Sequence, residues 1–69
     1  MEPQELVKVQ TYLRKLFGTK TLSVRARPKI KDSGEVYIGE ESIGTVTRED
    51  EDGELCYYFQ MAILEIDLE

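Results

Sequence analysis

Between Thr21 and Lys31 the chain alternates strictly between two kinds of side chain. One set is apolar and the other is polar or cationic: Leu22, Val24, Ala26, Pro28 and Ile30 against Ser23, Arg25, Arg27, Lys29 and Lys31. A period of two over this length is typical of a β-strand with one buried and one solvated face. Pro28 has no N–H to donate to a neighbouring strand, so we expect this strand at a sheet edge, or broken at the proline.

A helix that precedes this strand provides a cover for its apolar face. Pro3 suits the first turn of a helix, where its missing N–H has no acceptor, and Gly18 provides the left-handed residue that ends one. Between them the apolar residues recur at helical spacing and form one stripe: Leu6, Val9, Leu13, Leu16 and Phe17. The pattern predicts a helix over residues 3–17 that packs on a sheet.

Two segments of similar composition, 32–34 and 51–53, predict β-hairpin loops. If each is a three-residue loop that ends in a left-handed glycine, Ile30 pairs with Val36 and Thr47 pairs with Tyr57 on the inner face. The same register places Val46 opposite Tyr58 and Arg48 opposite Cys56 on the outer face.

The second loop lies in the most acidic stretch of the chain, residues 48–54, which reads REDEDGE. A calcium-binding loop aligned on Gly53 would begin at Arg48, where a carboxylate is required. We therefore predict a solvated hairpin tip and no metal site.

These elements predict a single α+β domain over residues 1–69. One N-terminal helix packs on a four-stranded antiparallel β-meander, with strands at about 21–30, 35–39, 43–49 and 54–66. The apolar phase slips by one residue between Met61 and Leu64, which predicts a bend near 62–64. The last strand is then long and bent. A partial barrel, in which this bend begins to close the sheet, is an alternative that the pattern allows. Residues 64–68 either fold back over the first strand or pair with another chain.

A chain of 69 residues supports only a thin core. Cys56 is the single cysteine and there is no histidine, so neither an intramolecular disulfide nor a structural zinc site is possible. Residues 1–33 carry a net charge of +5 and residues 34–69 carry −10. These opposite charges either neutralise each other between adjacent strands or favour self-association. We expect self-association to be the additional source of stability.

The residue inventory argues against catalysis. Without histidine the usual proton shuttle near neutral pH is missing, and the glycines are scattered rather than grouped in a phosphate-binding loop. We predict a protein that is not an enzyme and has no cofactor. A redox role for Cys56 is a distant alternative.

The open face of the predicted sheet is the candidate binding surface. It combines cationic, aromatic and apolar side chains, which are enriched at protein interfaces: Arg25, Arg27, Lys29, Tyr37, Val46 and Tyr58. We predict a binding or adaptor module whose partner is a protein or a second copy of the chain. The alternative is a platform for single-stranded nucleic acid, with Tyr37 and Tyr58 stacking on bases. The net charge of −5 opposes that alternative.

We expect a cytoplasmic location and a reduced thiol. The first ten residues lack the basic-then-apolar pattern of a secretion signal, and no apolar run approaches the roughly 18 residues of a membrane span.

Three strings resemble a known family: EPQELVKVQTYLRKLFG, VRARPKIKDSGEVYIGE and DEDGELCYYFQMAILEIDL. In this order they are similar to a family of short, mostly alphaproteobacterial proteins, domain-of-unknown-function family 3126. The likeness covers nearly the whole chain, and ARPK, VYIG and FQMAILEIDL are its most specific parts. The resemblance implies a stand-alone bacterial domain and carries no activity, substrate or site residues.

Overall fold

The computed structural model describes residues 1–68 of the chain. Its elements are helix α1 (Pro3–Phe17), strands β1 (Leu22–Ala26), β2 (Ser33–Ile38), β3 (Glu41–Glu51) and β4 (Glu54–Gln60), and a short 3₁₀ turn (Glu65–Leu68). The strands form one open antiparallel sheet in the order β1-β2-β3-β4. The predicted α+β class, with the helix preceding a four-stranded antiparallel meander, is confirmed.

Helix α1 has the predicted bounds and lies along the outer edge of β1. Gly18, with φ +65°, ends the helix in the left-handed conformation. The Gln10 side chain accepts the Val24 N–H at 3.1 Å, and Arg14 Nε donates to the Leu22 carbonyl at 2.6 Å. Because an edge strand has unpaired backbone groups, these two side chains both satisfy the edge of β1 and attach the helix to it.

The register predicted for the first hairpin is wrong. Val24, not Ile30, pairs with Val36, and Ala26 pairs with Gly34. Pro28 cannot donate to a ladder, and beyond Ala26 the chain makes two successive turns, in which Ile30 N–H donates to Arg27 and Ser33 N–H donates to Ile30. Gly34 consequently lies within β2 rather than in a loop.

A β-bulge reverses the predicted orientation of β3. Val36 pairs with Gly44 and Tyr37 pairs with Ser42, so Ile43 is an extra residue on its strand. An extra residue shifts the side-chain alternation by one position. Val46, predicted on the open face, is therefore buried under the helix with an exposed fraction of 1%.

The loop between β3 and β4 has two residues rather than three. Glu51 pairs with Glu54, and the turn residues Asp52 and Gly53 both have positive φ, at 55° and 77°. This is the geometry that an Asp-Gly pair favours in a hairpin. The predicted turn is confirmed, but its shorter length pairs Thr47 with Tyr58 and Arg48 with Tyr57.

The core is small and lies between α1 and the first three strands. Its buried apolar side chains come from α1, β1, β2 and β3: Val9, Leu13, Leu22, Val24, Val36 and Val46. β4 ends at Gln60, so it is shorter than the predicted strand of 54–66. Residues 61–64 are irregular, and the following 3₁₀ turn does not cover β1: its residues are exposed.

Candidate functional site

The open face, defined as the sheet face opposite the helix, carries Arg25, Tyr37 and Tyr58. Arg25 pairs with Glu35, Glu35 pairs with Thr45, and Tyr58 pairs with Thr47, so all three predicted residues point to the same side. The Arg25 guanidinium lies over the Tyr37 ring, with Cζ 4.1 Å from the ring centroid. This is a cation–π contact, and it orders the cation against the sheet.

The other three predicted residues of this face lie elsewhere. Arg27 and Lys29 belong to the loop between β1 and β2, because β1 ends at Ala26. Val46 is in the core. The structure therefore does not form the cationic stripe that the alternation predicted.

The remainder of the open face is polar. Glu35 accepts the Ser42 hydroxyl at 2.5 Å, and Thr45 and Thr47 lie between the two tyrosines across the sheet. At the β4 side, the neighbouring Cys56 side chain and the negative charge of Glu49 raise the pKa of the Tyr58 phenol. The face thus lacks a continuous apolar patch of the kind that marks an interface.

An apolar groove lies on the other side of the sheet, between α1 and the β3–β4 hairpin. Its volume is about 420 Å³. The helix packs mainly on β1, so the far side of its apolar stripe makes few close contacts with β3 and β4. The groove is lined by Lys8, Val9, Tyr12, Leu13, Leu16, Phe17, Val46, Tyr57 and Phe59. Leu16 and Phe17 are more than half exposed there, which is unusual for large apolar side chains that lie next to each other.

Two contacts brace the groove at its ends. At the end of the helix, the Phe17 and Phe59 rings lie 6.2 Å apart at 56°, a tilted aromatic pair. At the start of the helix, the Tyr57 hydroxyl donates to Glu5 Oε2 at 2.7 Å, and Arg48 Nε lies 2.8 Å from the same oxygen. Helix and hairpin are held at both ends, so the groove is a preformed feature.

The Glu5 contacts shift two pKa values in opposite directions. The pKa of Glu5 lies below its ordinary value of 4.5, because the Tyr57 hydroxyl and the Glu2 N–H donate to its carboxylate and Arg48 lies beside it. The pKa of Tyr57 lies above 10.0, because ionisation would break its hydrogen bond to Glu5 and burial disfavours the charge. The Glu5 contribution to stability is complete above pH 4.5 and is lost as the pH falls through the lowered pKa. The Tyr57 contribution is complete below pH 10.0 and is lost as the pH rises through the raised pKa.

We expect Tyr57→Phe to lower the melting temperature by a few degrees near neutral pH, because Glu5 loses its hydroxyl donor. The difference between wild type and variant should shrink as the pH falls below 4.5, where the wild-type carboxylate becomes protonated. Thermal melts followed by circular dichroism over that range measure it. Tyr58→Phe, on the open face, is the control and should keep the wild-type acid sensitivity. Equal acid profiles for wild type and Tyr57→Phe would contradict the assignment.

The sequence interpretation missed this cluster. It placed Arg48 on the outer face opposite Cys56, whereas Arg48 pairs with Tyr57 and faces the helix. One signal was present: Glu5 follows Glu2 by three residues at the helix start, where its carboxylate accepts the Glu2 N–H at 3.1 Å. That contact holds the carboxylate at the helix start, where Arg48 and Tyr57 meet it.

A second apolar surface is the tail, which we define as residues 61–68. Its large side chains are all at least half exposed, and Ile66 and Leu68 reach 72% and 75%. Within the described residues, its hydrogen bonds are internal: Asp67 N–H donates to the Leu64 carbonyl, and Leu64 N–H donates to the Asp67 carboxylate. The end of the tail therefore folds on itself locally and leaves most of its apolar surface exposed.

Comparison with known proteins gives a match to a family model. A family model described as "Protein of unknown function (DUF3126)" matches residues 5–67. No curated protein and no solved structure matches. The match spans most of the helix, all four strands and most of the tail.

Within residues 1–68, no helix is both long enough and apolar enough to cross a bilayer.

Proposed function

Because the chain belongs to the DUF3126 family, which is of unknown function, we propose from its geometry that it is a non-enzymatic protein-binding module. Its contact surface is the groove between α1 and the β3–β4 hairpin. The ligand is an apolar segment of another polypeptide. This keeps the class of function predicted from the sequence but moves the surface from the open face to the helix side.

The observation that carries the proposal is an apolar cavity in a domain with a small core. The groove exposes Tyr12, Leu16 and Phe17 from the helix and continues into buried Val46 at its floor. Binding sites are commonly preformed, mostly apolar concavities with a few polar groups at the rim. An amphipathic segment laid into such a groove buries side chains that the domain itself leaves in water.

The rim of the groove favours acidic ligands. Lys8 lines it, and Lys15 follows two turns later on the same side of the helix, since seven residues are close to two helical turns. Charges at an interface rim select among partners and orient them more than they add affinity. The expected ligand therefore alternates apolar side chains with carboxylates.

The open face supports binding less well. Of the cations predicted there, only Arg25 lies on a strand, and Glu35 is its cross-strand neighbour. Nucleic-acid affinity depends mainly on contacts between cations and phosphates. With a net charge of −5 and one strand cation on the open face, the nucleic-acid alternative has weak physical support, and absence of single-stranded RNA binding at low salt would eliminate it.

The absence of an enzymatic role and a bacterial cytoplasmic setting are parts of the same proposal. The chain has no histidine, and the carboxylates of the acidic stretch surround an exposed turn rather than the groove. Cys56 is free and exposed, which suits a reducing compartment.

A titration with a short synthetic peptide of alternating leucine and glutamate tests the proposal. We expect chemical-shift changes in the protein's NMR spectrum at Val9, Leu16 and Phe59, and no changes at Arg25 and Tyr37. The same peptide with lysine in place of glutamate should bind more weakly, because it meets Lys8. Shift changes confined to the open face would contradict the proposed surface.

Two substitutions on the helix form a matched pair for this titration. Leu16 and Val7 are similarly exposed, at 58% and 60%, but only Leu16 lines the groove. Leu16→Glu should reduce peptide affinity at least tenfold, because it places a carboxylate among apolar side chains. Val7→Glu should leave the affinity unchanged. Equal effects of the two substitutions would show that the helix charge, and not the groove, governs binding.

A further inference from the structure

The chain carries both halves of an apolar contact. The groove lacks a cover, and the tail lacks a surface to pack on. Each is lined by several large side chains that are half exposed or more. Monomeric proteins rarely expose two such patches, and exposed patches usually mark contact sites.

The charges on the two surfaces are complementary. The tail carries Glu65 and Asp67 and no cation, whereas the groove has Lys8 at its rim. Lys15 extends this cationic rim along the helix. The tail alternates carboxylates with Leu64, Ile66 and Leu68, so it has the chemistry that the groove is expected to bind.

Geometry favours the groove of a second copy over the chain's own groove. β4 ends at Gln60, so the tail would have to reverse direction within residues 61–64 to reach Phe59 and Tyr57 of the same chain. That segment reads MAIL and contains none of the residues that favour tight turns. A tail entering from another copy needs no reversal. The long shape of the chain, 42 × 23 × 22 Å, matches a segment that extends beyond the domain.

We propose that the chain forms a twofold-symmetric dimer in which the tail of each copy occupies the groove of the other. This rests on the proposed function, because it names the ligand of the same groove. Twofold symmetry makes the contact reciprocal, so each copy contributes one tail and one groove.

The expected interface has the size of a stable dimer contact. Burial of one large apolar side chain removes about 60–120 Å² of apolar surface. Each tail presents five such side chains: Met61, Ile63, Leu64, Ile66 and Leu68. These side chains are on average about two-thirds exposed, so two tails and the two grooves that they fill bury roughly 800–1,500 Å², which overlaps the lower part of the range of about 1,200–2,000 Å² for specific interfaces.

Charge-reversal variants test directly whether each tail occupies the groove of the other copy. One variant, Lys8→Glu with Lys15→Glu, has an acidic groove that repels its own acidic tail. A second variant, Glu65→Lys with Asp67→Lys, has a basic tail that its own basic groove repels. Light scattering should give a dimer mass for the wild type at tens of micromolar and at least a tenfold weaker dimer for each variant alone.

Mixing the two variants should restore the dimer, because both contacts of the mixed pair then join opposite charges. A tail that folded into its own groove would gain nothing from mixing. A monomeric wild type, or a mixture that stays dissociated, would therefore overturn the proposal.

A further pair of variants separates this proposal from the proposed function. Ile66→Asp should give a monomer whose groove still binds the leucine–glutamate peptide, whereas Val7→Glu should remain a dimer. A monomeric wild type that binds the peptide would overturn the tail-exchanged dimer but not the proposed function. A monomeric wild type that does not bind the peptide would overturn both the dimer and the proposed function. A dimer that persists in both Leu16→Glu and Ile66→Asp would place self-association on another surface.

Discussion

Replacement of Leu22 by alanine should lower the free energy of unfolding by about 2–5 kcal/mol, which is the usual range for removing a fully buried leucine. Leu22 has no exposed surface and lies in the strand to which the helix is attached. The cavity would form in the core cluster that Leu22 shares with Leu13 and Val36. Small domains have unfolding free energies at the low end of about 5–15 kcal/mol, so a large part of the population should unfold.

Urea unfolding followed by circular dichroism measures this effect. The urea concentration at the midpoint should fall. The slope of the unfolding free energy against urea concentration should stay the same, because the variant exposes nearly the same surface on unfolding. Leu55→Ala is the matched control: Leu55 is 49% exposed and belongs to neither the groove nor the tail, and we expect a loss of less than about 1 kcal/mol. Equal losses for the two leucines would contradict the assignment of the core.

Replacement of Gly44 by alanine should destabilise the domain by about 1–3 kcal/mol, the usual effect of overpacking. A Cβ at Gly44 would overlap the Gln60 carbonyl oxygen and lie 3.0 Å from a ring carbon of Phe59. A backbone oxygen in a paired strand cannot turn aside as a flexible side chain does. β4 would have to move away from β3, and the groove wall formed by Phe59 would move with it.

Gly34→Ala is the informative comparison for Gly44→Ala. A Cβ at Gly34 would lie 3.1 Å from Val24 Cγ1 and 3.2 Å from Leu6 Cδ2. These two nearest neighbours are side-chain atoms that can shift by a few tenths of an ångström, and the closest backbone atom, the Arg25 carbonyl oxygen, is 3.3 Å away, so we expect a smaller loss. Leucine–glutamate peptide binding adds a second measurement: Gly44→Ala should weaken it and Gly34→Ala should not. A larger effect at Gly34 would contradict the close approach of β4 to Gly44.

Local patterns predicted much of the fold. Helix α1 was correct to the residue, because Pro3 and Gly18 act on their own backbone and the apolar stripe is read along one segment. The alternation from Leu22 to Ala26 predicted the buried face of β1, and Asp52-Gly53 predicted a turn. Of the six predicted contact residues, Arg25, Tyr37 and Tyr58 lie on the open face.

The errors arose where one strand depends on another. Beyond Ala26 the alternation continued in the sequence, but the strand ended before Pro28, so Arg27 and Lys29 left the predicted surface. The groove was not predicted, because no single segment contains it. It exists because the helix is attached to the edge of β1 through Gln10 and Arg14 and meets β4 at the two ends of the groove, which leaves the space between them open.

The sequence by itself determined the helix, the buried face of β1, the acidic turn and the separation of charge between the two halves. Each of these depends on residues that are neighbours along one segment. Only the tertiary structure decided which way β3 faces. The bulge at Ile43 and the space at Gly44 depend on how closely β2 and β4 approach, and they turned Val46 into the core and Arg48 toward Glu5.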